Sequence, residues 1–214
     1  MVIVFDLDDT LYDEIDFVRS GFRAVARRID PTRADQLARF MSATFDAEGS
    51  GQVFDATIAR FDLAWSVADL VAHYRAHLPD IAIPDTRAAV LARLRPRFAL
   101  GLVSDGPHVT QRNKFERLGL GELIARPVFT AEIGAPKPSK TPFGVVMVQH
   151  PTERDFVYIA DNPRKDFIAP RALGWKTIRF RNPRGIYRDV QSDATTRADV
   201  DIDAFVDVLD LVAA

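Results

Sequence analysis

An α/β fold, built on a parallel sheet and interrupted after its first strand by a helical insert, is predicted by three features of the chain. Short apolar segments recur at 2–5 (VIVF), 98–104 (FALGLVS), 156–161 (FVYIAD) and 175–180 (WKTIRF), each followed by polar or Gly/Pro-containing turns. Helical patterns lie between them, at 88–94, about 110–118, 139–149 and about 164–173. Strands alternating with helices of that size argue for a parallel, Rossmann-like sheet covered on both faces. The third feature is the stretch 15–80, which contains no convincing strand.

Taken in order, VIVF is a buried strand that stops where the aspartates of DLDDT begin. Four helices are expected in the insert: 16–29, carrying Phe17, Phe22, Val25 and Ile29; 31–46, opened by Asp30–Pro31; 52–61; and 66–78, where Ser66 and Asp69 form a capping box. The insert ends where proline and aspartate cluster, between Pro79 and Pro84, which gives a core of 1–14 with 81–214 and an insert of 15–80. The last segment, DIDAFVDVLDLV, has apolar residues at 202, 205, 206, 208, 209 and 212 and is expected to close the domain as a helix.

Composition narrows the function classes. With 214 residues, 47% of them apolar, the chain can bury a substantial core. A net charge of -2, from 28 basic and 30 acidic side chains dispersed along the chain, gives no field attraction to nucleic acid or to an anionic membrane. The absence of cysteine excludes disulfides and thiolate chemistry and fits a reducing compartment. No signal peptide and no run of 18 apolar residues is found, so the expected address is the cytoplasm and the expected assembly a monomer or homodimer.

Asp6, Asp8 and Asp9 put three carboxylates directly after an apolar strand. They would repel one another unless a cation neutralised them, and a hard divalent ion with oxygen ligands does so. Asp6 and Asp8 are two apart, so both can face one crevice, one attacking phosphorus while the other moves a proton. Asp9 is read as a surface or hinge acid and Thr10 as a local hydroxyl that ties the loop. Later strand ends supply complementary groups: Ser104, a hydroxyl after FALGLV; Lys137, held between two prolines; and Asp161 with Asp166 after FVYIA. Together they make an inventory for metal-assisted phosphoryl transfer, converging outside the carboxyl ends of the strands.

In this order and spacing the motifs resemble the four signatures of the haloacid dehalogenase-like hydrolase superfamily over nearly the whole chain. The resemblance implies that Asp6 is a nucleophile forming an aspartyl-phosphate and that Asp8 protonates the leaving alcohol and then activates water. It implies Mg2+ held by the side chains of Asp6 and Asp161 and by the backbone carbonyl of Asp8. Ser104 and Lys137 would bind the phosphoryl group, and Asp166 would support the metal or the lysine from behind, as Thr10 would support the loop. The second motif departs from the common TNG or SNG: Asp105 joins the phosphate-binding turn, where its charge either turns outward or selects a substrate bearing a cation. The insert corresponds to a cap that closes over the crevice and chooses the substrate. An acid at Asp8 argues against dehalogenation.

The expected function is thus a Mg2+-dependent phosphomonoesterase acting on a small phosphorylated metabolite, a sugar, sugar-acid or nucleoside monophosphate. A phosphomutase and an inactive scaffold with this fold are the alternatives. His108, Arg19 and Arg23 are candidate substrate contacts, whereas His73 and His77 lack a third ligand within reach. Gln111 and Lys114 are read as structural.

Overall fold

The computed structural model describes residues 1–213. The chain divides into two compact units, Met1–Glu14 with Ala82–Ala214, and Ile15–Ile81. Among the described residues no helix is long and apolar enough to cross a membrane.

The first unit is a six-stranded sheet of order β3-β2-β1-β4-β5-β6, with every pair parallel. Its strands are β1 (Val2–Phe5), β2 (Ala99–Ser104), β3 (Val128–Phe129), β4 (Phe156–Ala160), β5 (Lys176–Phe180) and β6 (Val200–Ile202). All four residues of β1 are buried, as a central strand covered on both faces requires. Below the sheet Phe143 meets Tyr158 and Trp175 edge-on, at 5.0 and 5.5 Å between ring centres, and Phe156 stacks on Trp175 at 4.7 Å. These rings, with Val2, Val4 and Val103, lock β1, β2 and β4 side by side. The strand order reverses beside β1, and that reversal opens a crevice at the carboxyl ends of β1 and β4.

The second unit holds α1 (its residues from Ile15 to Ile29), α2 (Ala34–Glu48), α3 (Val53–Phe61) and α4 (Val67–Ala76). Their apolar faces meet around Phe22, Val25, Leu37, Met41, Val53 and Leu70. Gly21 permits this packing, because a Cβ there would stand 2.3 Å from the Tyr74 ring. Ser66 caps α4 as expected, its Oγ accepting from the Asp69 N–H at 3.1 Å. By contrast, α2 starts at Ala34 and not at Pro31. Asp30 spends its carboxylate on Thr32 N–H (2.8 Å), Thr32 Oγ1 (2.6 Å) and Arg33 Nε (2.7 Å), which makes a turn before the helix.

The remaining helices belong to the α/β unit: α5 (Asp85–Leu94), α6 (His108–Arg117), α7 (Thr130–Ile133), α8 (Thr141–Gln149), α9 (Ile168–Ala172) and α10 (Val208–Ala213). Two expectations are corrected here. The closing segment is not one helix: Val200 and Ile202 pair with Ile178 and Phe180 as the sheet's sixth strand, and the helical part begins only after a 3₁₀ turn at Phe205–Asp207. The helix after β4 begins at Ile168 and not near Arg164, because Asn162 Oδ1 accepts from Arg164 N–H (3.0 Å) and Asp166 Oδ2 from Asn162 N–H (3.0 Å), which builds a loop instead.

Candidate active site

Asp6 continues β1, its N–H donating to Ile159 of β4 at 2.9 Å, and Asp161 follows β4 directly. With Asp166 they form a buried trio whose carboxylate oxygens come within 4.8 Å of one another. Lys137 reaches the trio from the loop before α8. Its ammonium lies 2.9 Å from Asp6 Oδ1, 2.8 Å from Asp166 Oδ1 and 3.1 Å from the Tyr158 hydroxyl. Tyr158 is fully buried in β4 and its own hydroxyl is 3.4 Å from the Val103 carbonyl, so the core rings described above fix the lysine's position.

Three carboxylates against one ammonium leave the cluster short of positive charge. Burial, then the Asp166 and Asp8 charges working against Lys137, pushes the Asp6 carboxyl up to about 6. Burial and the neighbouring Asp166 and Asp6 raise Asp161 well above the usual carboxylate range. Lys137, despite its burial, is held firmly protonated by Asp166 and Asp6. An all-oxygen, electron-rich, cation-deficient donor set at a strand-end crevice fits a hard divalent cation such as Mg2+. Asp166 sits within this set and not behind it.

The Asp8 carboxylate lies elsewhere. Lys114 approaches Oδ1 at 2.7 Å, Gln111 Nε2 donates to Oδ2 at 2.8 Å, and the Tyr12 hydroxyl donates to Oδ1. Burial alone would raise this carboxyl, but the Lys114 charge and these hydrogen bonds outweigh it and hold it below its ordinary value. Asp8 is therefore an ionised acceptor in this arrangement. Its side chain stands outside the carboxylate trio. Gln111 and Lys114, expected to be structural, are its direct partners.

Ser104 ends β2, fully buried, and its hydroxyl has no hydrogen-bond partner among the described residues. A buried hydroxyl without a partner is costly unless a ligand oxygen completes it. The following Gly106 has φ +132, and a Cβ there would lie 2.8 Å from Gln111 Nε2, so glycine keeps room for the amide that grips Asp8.

Several residues sit otherwise than expected. Asp105 carries an acceptor-only carboxylate already occupied by Lys165 Nζ (2.7 Å), Thr130 Oγ1 (2.8 Å) and Lys137 N–H (3.1 Å), which removes its side chain from phosphate binding. Asp9 is buried and not a surface acid. Its backbone takes φ +51 while its carboxylate accepts from Glu14 N–H (3.0 Å) and Asn182 Nδ2 (3.3 Å). The Thr10 hydroxyl is buried and has no hydrogen-bond partner among the described residues, so it ties no loop there. His108 is turned to the surface, with Nδ1 2.9 Å from Glu132 and Nε2 accepting from Arg112 Nε at 3.2 Å. Arg19 and Arg23 belong to the helical unit and face acids of that unit, Asp46 at 3.9 Å and Asp80 at 3.8 Å. Lys165 and Glu14 were not anticipated. Burial and the adjacent Asp8 push the Glu14 carboxyl up to about 8.

Comparison with known proteins agrees with this fold. The family described as haloacid dehalogenase-like hydrolase matches residues 3–180. A protein of Methanocaldococcus jannaschii named glyceraldehyde 3-phosphate phosphatase is 26% identical over 223 residues, covering 98% of this chain and 96% of its own. One of the same name from Methanopyrus kandleri is 26% identical over 225 residues, with coverage of 98% and 96%. Among solved structures, the HAD-hydrolase YfnB of Bacillus subtilis, described as bound to magnesium, shares the fold with a TM-score of 0.69 at 18% identity, covering 100% of this chain and 98% of its own. The chain belongs to the haloacid dehalogenase-like hydrolase family.

Proposed function

We propose that the protein is a Mg2+-dependent phosphomonoesterase that works through an aspartyl-phosphate on Asp6, with a small sugar phosphate as substrate. The observation that carries this reading is the buried, cation-deficient trio of Asp6, Asp161 and Asp166 beside a fixed lysine at the switch point of the sheet. Asp6, Asp161 and Asp166 would hold Mg2+, with the Asp8 carbonyl as a further oxygen. When bound, the ion supplies charge neutralisation for the carboxylates and for the phosphoryl oxygens.

The chain's own residues then divide the work. Lys137 engages Asp6 Oδ1 and orients the carboxylate, leaving Oδ2 to attack phosphorus. The Ser104 hydroxyl donates to a phosphoryl oxygen, which satisfies the orphaned group. Asp8, ionised and gripped by Lys114, Gln111 and Tyr12, is arranged to take a proton from the water that releases the phosphate. To protonate the leaving alcohol first, it must exchange those partners for the substrate oxygen and take up a proton from solvent. Passing that proton to the alcohol returns it to the ionised form that accepts one from water. The relatives named above make glyceraldehyde 3-phosphate the first compound to test.

The experiment is phosphate release from a panel of phosphorylated trioses, sugars, sugar acids and nucleotides, with and without Mg2+. Metal-dependent turnover that disappears in Asp6→Asn, with acid-stable-label trapping of phosphate on the wild-type protein but not the variant, is the expected result. Conversion of one phosphorylated isomer into another without free phosphate would move the reading to a phosphomutase.

A further inference from the structure

A cavity of about 380 Å³ opens in the α/β unit between the end of β5, the start of α5 and the 3₁₀ turn after β6, within the size range of small-molecule sites. Pro84, Phe180, Pro183, Phe205 and Val206 give it an apolar wall, and Val206 is left 52% exposed there. None of Asp6, Asp8, Ser104, Lys137, Asp161 and Asp166 borders it. The turn after β5 shapes one side, where Asn182 Oδ1 accepts from the Arg184 N–H at 3.0 Å.

The polar part of the lining centres on Arg87, which is buried. Its Nη2 donates to Asp13 Oδ1 at 2.6 Å, and its guanidinium carbon lies 5.1 Å from the centre of the Phe180 ring, another wall of the cavity. Its other amino group, Nη1, is buried with no hydrogen-bond partner among the described residues. A buried donor left unpaired costs its desolvation, and a charged one costs more. The Asp13 oxygens are taken up by Arg87 Nη2, by Asn182 Nδ2 at 3.0 Å and by Arg184 Nη1 at 2.6 Å. Asp203, the second acid of the lining, lies 3.3 Å from Arg188 and 3.9 Å from Arg181.

We propose that this cavity is a binding site for a small organic carboxylate, separate from the carboxylate trio, with the ligand's anionic end on Arg87 and its apolar body against Phe180, Phe205 and Val206. A guanidinium offers planar, charge-assisted donors that match a carboxylate, and Arg87 has donors left beyond the one it gives to Asp13. Charge sets the class of ligand. A carboxylate brings one negative charge to one incompletely paired guanidinium, whereas a phosphate dianion meets stronger repulsion from Asp13 and Asp203 on the same lining. The walls set the rest, because a ring or short alkyl chain covers apolar surface that a wholly polar anion leaves wet.

The test titrates benzoate into the full chain by calorimetry, with and without saturating Mg2+ and inorganic phosphate, so that it does not depend on turnover. Saturable binding is expected with a Kd of about 1 mM or tighter, unchanged by Mg2+ and phosphate. Benzamide has the same shape without the charge, and it should bind about tenfold more weakly or worse, since the lost contact is charge-assisted. Arg87→Lys keeps a cation for Asp13 but removes the second amino group, and about a tenfold weakening of benzoate binding is expected from it. Val206→Glu sets a negative charge at the exposed rim and does not depend on the buried ion pair. It should weaken benzoate by about fivefold or more with the melting temperature unchanged. A wild type that binds no benzoate, or that binds benzamide equally well, would overturn the proposal, the second result leaving an apolar hollow only. So would benzoate affinity within about twofold of wild type in Val206→Glu. Benzoate displaced by Mg2+ and phosphate would place it at the carboxylate trio and likewise remove this site.

Discussion

A single buried acid, Asp13, and a buried trio that includes Asp6 lie within a few residues of each other in sequence, and they are balanced in opposite ways. Asp13 is matched by the protein itself: Arg87 Nη2 at 2.6 Å from one oxygen, Arg184 Nη1 at 2.6 Å from the other, and Asn182 Nδ2 at 3.0 Å. Among the described residues the trio of Asp6, Asp161 and Asp166 has Lys137 alone within ion-pair distance, with Lys165 acting on it only from farther off, so three carboxylates face one close cation. A buried carboxylate supplied with its own cations holds a fold together. One left short of cations is kept for something that arrives from outside. The contrast separates architecture from chemistry where residue type does not.

The largest expected effect is on catalysis. Asp6→Asn removes the attacking oxygen's charge while preserving shape, and a loss of about 10³-fold or more in phosphate release is predicted, read at saturating substrate. Next comes stability at the balanced acid. Asp13→Ala strands the buried Arg87 and is expected to cost about 3–5 kcal/mol, measured by urea denaturation. Nearly all of that belongs to Arg87, whose side chain is 6% exposed, because Arg184 is 47% exposed and screened by solvent.

The pH dependence sharpens the same point. Burial alone would raise the Asp13 carboxyl, but Arg87, Asn182 and Arg184 outweigh it and lower the pKa in the folded state. A carboxyl lowered by folding contributes stability that is complete above its unfolded value and is lost as pH falls through the folded one. Asp13→Asn should therefore flatten the loss of stability below about pH 4, seen by comparing denaturation at neutral and acid pH. The smallest effect belongs to His108→Ala. Its ring nitrogens are occupied by Glu132 and Arg112 at the surface, and KM is expected to stay within about twofold, the range of an ordinary surface change.

What could be read from the sequence follows from the same physics. The strands β1, β2, β4 and β5 were legible because apolar runs end abruptly in polar turns, and Asp6, Ser104 and Asp161 were legible as the polar groups at or just past those ends. The two edge strands were not. β3 has two residues and β6 three, too short for a period-2 pattern, and Val200–Ile202 merges with an apolar spacing that also fits a helix. The partners of Asp8 were hidden because Gln111 and Lys114 lie more than a hundred positions away in sequence. Asp9 gave no sign of burial, since an aspartate after a strand is ordinarily solvated. The role of Asp105 was hidden for the same reason as that of Asp8: Lys165 is brought to it by the β4 loop, 60 residues on.

The measurement that bears most directly on the contrast between the two acid groups is calorimetric titration of Mg2+ into the wild type and Asp161→Asn, with melting temperature followed in parallel. Saturable binding by the wild type is predicted, together with a rise in stability of about 2.7 kcal/mol at a hundredfold excess over Kd, and both should be absent from the variant. Without Mg2+, the variant should be no less stable than the wild type, because it loses a carboxylate that has no cation of its own. Wild-type protein that binds no Mg2+, or a variant that binds it equally well, would contradict the account.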